Sequence, residues 1–348
     1  MSQPDRTTHE PELTGAVDLC TPDGRALNPD AVGYSRTPLH RANLAGNWGR
    51  TKRWDYWALL ADDLVVALTY ADVDYLGVVA VWWCEPSTGR TGGRDVAVPL
   101  ARGIDLPEVP GTAPLTYRSP HLGVEVSDDP SGTTLTARWR ERDGTLGRLD
   151  AHVALPEGHE SLNVVIPWSD TRFQYTSKHQ ARPSTGTLRV GDEHRILGGP
   201  DAPAWGVLDV GRGRWPYRTV WNWGSGAGHA DDGRVVGLQV GGKWTDGTPS
   251  TENGVIVDGR LVKLGDELRW DYDWDAPLEP WRVRSPDGSL DVTLTPVHDR
   301  HDRLELGVAG TEVHQVFGTW AGHAPTPDGD RVTLEGLVGF AEESRSRW

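Results

Sequence analysis

The amino-acid sequence predicts an all-β protein made of two consecutive antiparallel β-barrels with few helices, and three observations carry that prediction. Gly, Pro and Trp number 42, 25 and 17 among 348 residues, against one Met and three Phe, a turn-rich and indole-rich balance typical of sheets. Short runs with period-two alternation recur about every 8 to 12 residues, closed by Gly, Pro or an Asp-Gly pair. No stretch sustains a helical repeat; the best, Glu335 to Arg345, is short and holds two glycines.

The length exceeds the usual size of one domain, so the strands divide into an irregular lead-in over 1–47, a first barrel over 48–180 and a second over 181–348. Residues 1–12 are polar, and Leu13 to Asn47 carries Pro and Gly too often for regular structure. From Lys52 the chain alternates Trp54, Tyr56, Ala58 and Leu60 on one face. It turns at Asp62 and Asp63 and continues through Leu64 to Tyr70 and Leu76 to Trp83, three strands in meander order. Leu76 to Trp83 is apolar on both faces, which suggests cover on two sides. Short strands follow at Asp95 to Leu100, Leu115 to Arg118, Leu122 to Val126, Thr133 to Arg140 and Gly147 to Ala154, then a buried strand at Leu162 to Ile166. The second set runs through Gly186 to Val190, Trp205 to Val210, a central hairpin, Gly254 to Leu264, Glu267 to Trp274, Trp281 to Arg284, Leu290 to Pro296, Val313 to Gly322 and Val332 to Glu342. Asp-Gly pairs at Asp143, Asp232, Asp246, Asp258, Asp287 and Asp328 mark tight turns.

The net charge of −15 argues against a nucleic-acid groove or an anionic membrane surface, since either needs a basic face. Cys20 and Cys84 are too few for a disulfide framework and read as buried thiols. The N-terminus MSQPDRTTHEPEL lacks the apolar core of a signal peptide and no 18 apolar residues run together, so a cytoplasmic protein is expected. No metal-ligand spacing, catalytic triad, phosphate loop or dinucleotide fingerprint is present, and neither a metal nor a cofactor is expected.

The chemistry concentrates in Leu208 to Asn253. Trp215, Tyr217, Thr219, Trp221 and Trp223 stand at spacing two, which on one extended strand would form an aromatic wall with Arg214, Arg218 and Asn222 behind it. Asp209 precedes Arg212 and Arg214 and could pair with either, as a structural pin or as an acid–base group. Lys243, Trp244, Asp246, Glu252 and Asn253 crowd a glycine-rich corner next to that wall, where backbone can approach a ligand closely. The candidate catalytic residues are therefore Asp209, Glu252, Lys243 and Asp246. Candidate substrate contacts are Tyr175, Lys178, Arg212, Arg214, Trp215, Tyr217, Trp221, Trp223, Trp244, Asn253 and His314. His314 reads first as a satisfied core histidine, and Glu342, at the end of the last strand, as a buried carboxylate with an arginine partner or an acid role.

The runs PLHRANLAGNWGRTKRWDYWA, ESLNVVIPWSDTRFQYTSK, LDVGRGRWPYRTVWNW, GGKWTDGTPSTENGVIVDGRLVKL and VHQVFGTWAG followed by GFAEE resemble the domain-of-unknown-function family 2804, over nearly the whole chain. The order of an Asp, a Gly-Arg, WNW, an apolar strand and a final GFAE is similar to the AttH and carotenoid-hydratase group. That resemblance implies two lipocalin-like barrels and, for activity, hydratases and cyclases that protonate isoprenoid alkenes or proteins that catalyse pericyclic closures. The group's Asp-His-Gln-Trp-Gly motif stands here as Asp209, Val210, Gly211, Arg212 and Gly213.

The expected function is a cofactor-independent acid–base enzyme, of the lyase, isomerase or cyclase/hydratase type, acting on an apolar small molecule such as an isoprenoid in a Trp-rich barrel pocket. The alternatives are a binding or carrier protein for such a molecule and, further off, a carbohydrate-active enzyme. The expected partner is that small molecule, apolar or glycosylated, with the protein a monomer or homodimer.

Overall fold

The computed structural model describes residues 10–200, 202–306 and 309–347. Apart from one 3-10 turn at Pro29–Ala31, the regular structure of these residues is strand. None of their helices is long and apolar enough to cross a membrane. Cys20 and Cys84 are buried free thiols.

Two large sheets follow one path. The first runs outward as a meander through Thr51–Ala61, Leu64–Asp72, Leu76–Glu85 and Arg90–Pro99. The chain then crosses to the far edge. It returns through Leu115–Arg118, Leu122–Asp129, Gly132–Arg140, Leu146–Ala154 and Arg172–Val190 until Ala204–Arg214 pairs with the starting strand. The second goes out through Arg218–His229, Val235–Gly242, Asn253–Val257 and Arg260–Leu264. It comes back through Arg269–Asp271, Trp281–Arg284, Asp291–Leu306 and Ala309–Pro325, and Arg331–Arg347 closes on Arg218–His229. All these pairings are antiparallel, as tight turns between consecutive strands require. Both sheets thus curl into half-barrels, open between consecutive strands.

Period two sorts each strand between two environments. Trp57, Leu59, Leu208 and Val210 point into the first core, with Val81, Leu135 and Leu149. Leu238, Val255, Trp281, Val292 and Trp320 fill the second. The alternate residues Ala58, Leu60 and Val207 of the first sheet pack on Trp223, Phe317 and Phe340 of the second, with Tyr56 and Trp82 beside them. The strands at this junction are buried on both faces, which accounts for their nearly continuous apolar runs.

Two expectations need correction. The hydrogen-bonded ladder runs through residue 180, because Arg172–Val190 is one 19-residue strand paired along both halves by Ala204–Arg214. What lies at 180 is a register shift between His179 and Arg182, with Ala181 in the left-handed region at φ 54°; the sheet changes only between Arg214 and Arg218. The aromatic run from Trp215 to Trp223 is likewise not one strand. Pro216 has no N–H to give to a ladder, so the strand ends at Arg214 and the next begins at Arg218, leaving Tyr217 exposed.

The lead-in is packed rather than loose from Val17 onward. Leu19, Cys20, Leu27, Ala31 and Ala42 pack on Val165, Phe173 and Tyr175. Arg214, fully buried, donates to the carbonyls of Gly24, Arg25 and Ala45.

Candidate functional site

Between the two sheets, on the faces turned away from both cores, lies a cavity of about 360 Å³. The equivalent strand pairs of the two halves meet there, and they bring equivalent residues. In the first half Asp209 sits on the closing strand, opposite Tyr56 on the starting strand and Lys178 on its other neighbour. In the second half Glu342 sits on the closing strand, opposite Trp223 on one side and Gln315 on the other. Two residues before Tyr56 and Trp223 stand Trp54 and Trp221. The Trp54 indole N–H donates to Asp209 Oδ2 at 3.1 Å, and that of Trp221 to Glu342 Oε1 at 2.8 Å. Tyr56 and Trp223 meet edge to face with centroids 5.7 Å apart, so the halves touch through matching residues.

The two acids differ in their neighbours. Asp209 accepts from Thr176 Oγ1 at 3.1 Å and pairs with Lys178 Nζ at 2.9 Å. Lys178 also approaches Glu252 Oε2 at 3.3 Å and lies 4.2 Å over the Trp223 ring, so its ammonium reaches across to the other half. Burial alone would lower the Lys178 pKa; the charges of Asp209 and Glu252 outweigh it and raise it above the usual lysine range. Glu342 has no cation beside it in the ladder and accepts instead from the Gln315 amide, 2.9 Å from Oε2. Burial pushes its carboxyl from 4.5 up to about 7, against the Trp221 hydrogen bond and the field of Lys178, with Asp209 adding a smaller upward push.

Glu252 completes the group from the loop that enters Asn253–Val257. It is 1% exposed, accepts from the Trp244 indole N–H at 2.5 Å and is raised to about 7 by burial, with Lys178 pulling it down and Asp209 pushing it up. Two close approaches depend on glycine: a Cβ on Gly241 would stand 2.2 Å from Glu252 Oε1, and one on Gly211 2.2 Å from the Trp54 ring. The remaining wall is indole, with Trp215 and Trp244 stacked at 5.4 Å and 13° and Trp221 edge-on to Trp215 at 5.8 Å. At the mouth Arg300 pairs with Asp302 at 2.7 Å and lies 4.6 Å over Trp82. Thr69, Val78, Arg300, Asp302 and Thr311 line both the cavity and a wider groove of about 1100 Å³.

Of the residues nominated from sequence, Asp209, Glu252, Lys178, Trp215, Trp221, Trp223 and Trp244 come together here. The others do not. Arg212 lies three residues from Asp209 and Arg214 five, so alternation turns both to the opposite face, and Arg212 pairs with Asp55 at 2.7 Å instead. Tyr175 faces the lead-in, donating to Asn163 Oδ1 at 3.2 Å. His314 backs onto Gln315 and meets Asp299 at 2.8 Å. Asn253 pins the loop, accepting from the Gly241 N–H and donating to the Asp266 carbonyl. Lys243 binds Glu343 at 2.7 Å and the Tyr272 hydroxyl at 2.6 Å, outside the cavity, and Asp246 is exposed in the turn after Trp244. The expected barrel pocket is therefore a cavity between the two half-barrels, because each interior is filled by its own apolar core.

Sequence reasoning missed Trp54, Tyr56, Thr176 and Gln315, and left Glu342 without its partners. A signal for them exists. Asp209, Gly211, Arg212, Gly213 and Arg214 are echoed by Glu342, Ser344, Arg345, Ser346 and Arg347, and Trp54, Asp55, Tyr56 by Trp221, Asn222, Trp223. The echoes fall on the closing and starting strands of the two halves.

Among the described residues no group of three His, Cys, Asp or Glu is placed to hold a metal ion. The cavity can hold an apolar molecule against indole faces and can give or take protons at carboxyls set on opposite sheets.

No curated protein matches the chain in sequence. Among solved structures, it is similar to kievitone hydratase from Nectria haematococca at 10% identity and a TM-score of 0.48, covering 99% of this chain and 98% of that one. CghA matches at 13% identity and 0.46 over 96% and 97%. A putative AttH from Nitrosomonas europaea matches at 15% and 0.45 over 86% and 93%. The model of the domain of unknown function DUF2804 matches residues 10–348, and the chain belongs to that family.

Proposed function

We propose that this protein is an acid–base enzyme of the lyase, isomerase or cyclase type, acting on an apolar small molecule held between the two half-barrels. One observation carries the reading. Two positionally equivalent carboxyls face one indole-lined cavity, Asp209 paired with an ammonium and Glu342 bonded to an amide and raised to about 7. A group poised near neutrality is suited to give a proton, and a carboxylate in an ion pair to take one.

In the proposed step Glu342 transfers its proton to one carbon of a substrate double bond. The π pair becomes the new C–H bond and the adjacent carbon is left cationic, facing Trp221, Trp223 and Trp215. Asp209 then removes a proton from a neighbouring carbon, whose C–H pair forms the double bond of an isomerised or cyclised product. Proton exchange with solvent resets both carboxyls. Capture of the cation by water would give a hydratase by the same first step. Glu252, raised to about 7 and in contact with Lys178, is the second candidate acid.

Incubation in D2O with isoprenoid alkenes that quench the tryptophan fluorescence tests this reading. Deuterium in the recovered product, lost in Glu342→Gln, is expected. Bound alkenes returned unchanged and unlabelled would contradict it and leave the carrier, which the same indole wall would also serve.

A further inference from the structure

The cavity's charges and rings point to a narrower class of ligand. Four carboxyl side chains line it: Asp302, matched by Arg300 at the mouth, and, deeper, Asp209, Glu252 and Glu342 with Lys178 the ammonium among these three. Each of the three accepts from an indole N–H, from Trp54, Trp244 and Trp221 respectively. An indole that donates to a carboxylate is enriched in electron density, and its face attracts cations more strongly. The cavity already holds one cation against an indole face, the Lys178 ammonium 4.2 Å over Trp223, although that indole donates to the Gln239 amide oxygen and not to a carboxylate. Glu252 Oε2 is buried without a well-aligned donor, and the Lys178 ammonium stands 3.3 Å from it.

We infer that the natural ligand is an apolar cation, a hydrocarbon body bearing a protonated or quaternary amine, bound with its charged nitrogen among the Trp54, Trp221 and Trp244 indoles and their carboxyls. Above pH 7, where Glu252 and Glu342 are ionised, a neutral hydrocarbon would leave the carboxyls with an excess of negative charge, and an anion would add to it. The inference rests on the reading of this cavity as the substrate site, and not on proton transfer within it.

The test is a fluorescence titration at pH 8 with benzyltrimethylammonium, its uncharged isostere neopentylbenzene, and phenylacetate as the anion. The cation should bind about tenfold more tightly than the isostere, as cation–ring contacts in a desolvated site allow, and the anion more weakly than either. The ratio of cation to isostere affinity should fall several-fold in Glu342→Gln and Glu252→Gln, with thermal melting confirming that both fold. It should also fall from pH 8 to pH 6 as the two carboxyls take up protons. Equal affinity for cation and isostere, or a preference that both variants retain, would overturn the inference, the second by placing the cation elsewhere on an acidic surface. Such a failure is separable from failure of the proposed reaction, which is read as deuterium in a product.

Discussion

At the cavity the first half-barrel sets an ammonium beside its acid and the second sets an amide, although the strands, the register and the indole donors correspond. Lys178 and Gln315 occupy the same place relative to Asp209 and Glu342. Each crosses to the other half: Lys178 lies over Trp223, and Gln315 approaches Tyr56 without completing a hydrogen bond to its hydroxyl. Two copies of one strand pair meeting face to face supply two carboxyls, one beside an ammonium and one beside an amide. Buried carboxyls that are close and unpaired push their pKa values upward, while a neighbouring cation opposes this.

The largest expected effect comes from removing the acid of the second half. Glu342→Gln keeps the shape and should lower turnover by about 10²–10⁴-fold, the usual contribution of a general acid; a loss under tenfold would show that Glu342 is not the acid and turn the role to Glu252. Next is Lys178→Met, which leaves Asp209 and Glu252 buried without their cation and should cost about 3–5 kcal/mol in chemical denaturation. That loss should be greater at pH 8 than at pH 5, where Glu252 is protonated. If the cost is equal at both, Lys178 does not stabilise an ionised Glu252.

A third effect is the pH dependence of stability. Glu252 and Glu342 have folded pKa values near 7 against 4.5 when unfolded, so the folded state holds their protons more tightly. Stability from these groups is therefore full below about 4.5 and falls as pH rises through about 7, by at most on the order of 3 kcal/mol each. Glu342→Gln should flatten the fall between pH 5 and pH 8; an unchanged slope would contradict the burial argument. Smaller again, Gly241→Ala must displace the Glu252 carboxyl and should cost about 1–3 kcal/mol. Lys243→Met, at a partly exposed ion pair outside the cavity, should change stability by less than about 1 kcal/mol and turnover by less than twofold.

Strand composition and turn spacing made the all-β architecture legible in the sequence, because alternation and Asp-Gly corners are local signals. The change of sheet was not, since a bulge at 180 and a true crossing near Pro216 look alike without the partner strands. Asp209, Glu252 and the tryptophans were legible as a crowded stretch. Arg212 lies outside the cavity because three residues along a strand reverse the face, and Lys243 because it stands past the end of Val235–Gly242 at φ 67°. Trp54 and Gln315 lie 155 and 106 residues from Asp209, beyond any local pattern, and only the echo between the two closing strands points to them.

Infrared difference spectroscopy of the carboxylic C=O stretch, from pH 5 to pH 9, in the wild type, Glu342→Gln and Gln315→Lys, addresses the contrast between the halves most directly. A band that disappears with a midpoint near pH 7, weakens in Glu342→Gln and shifts to a lower midpoint when the second half is given the lysine of the first is the predicted result. A band that both variants leave unchanged would contradict the account, because the carboxyl that titrates near 7 would then not be Glu342.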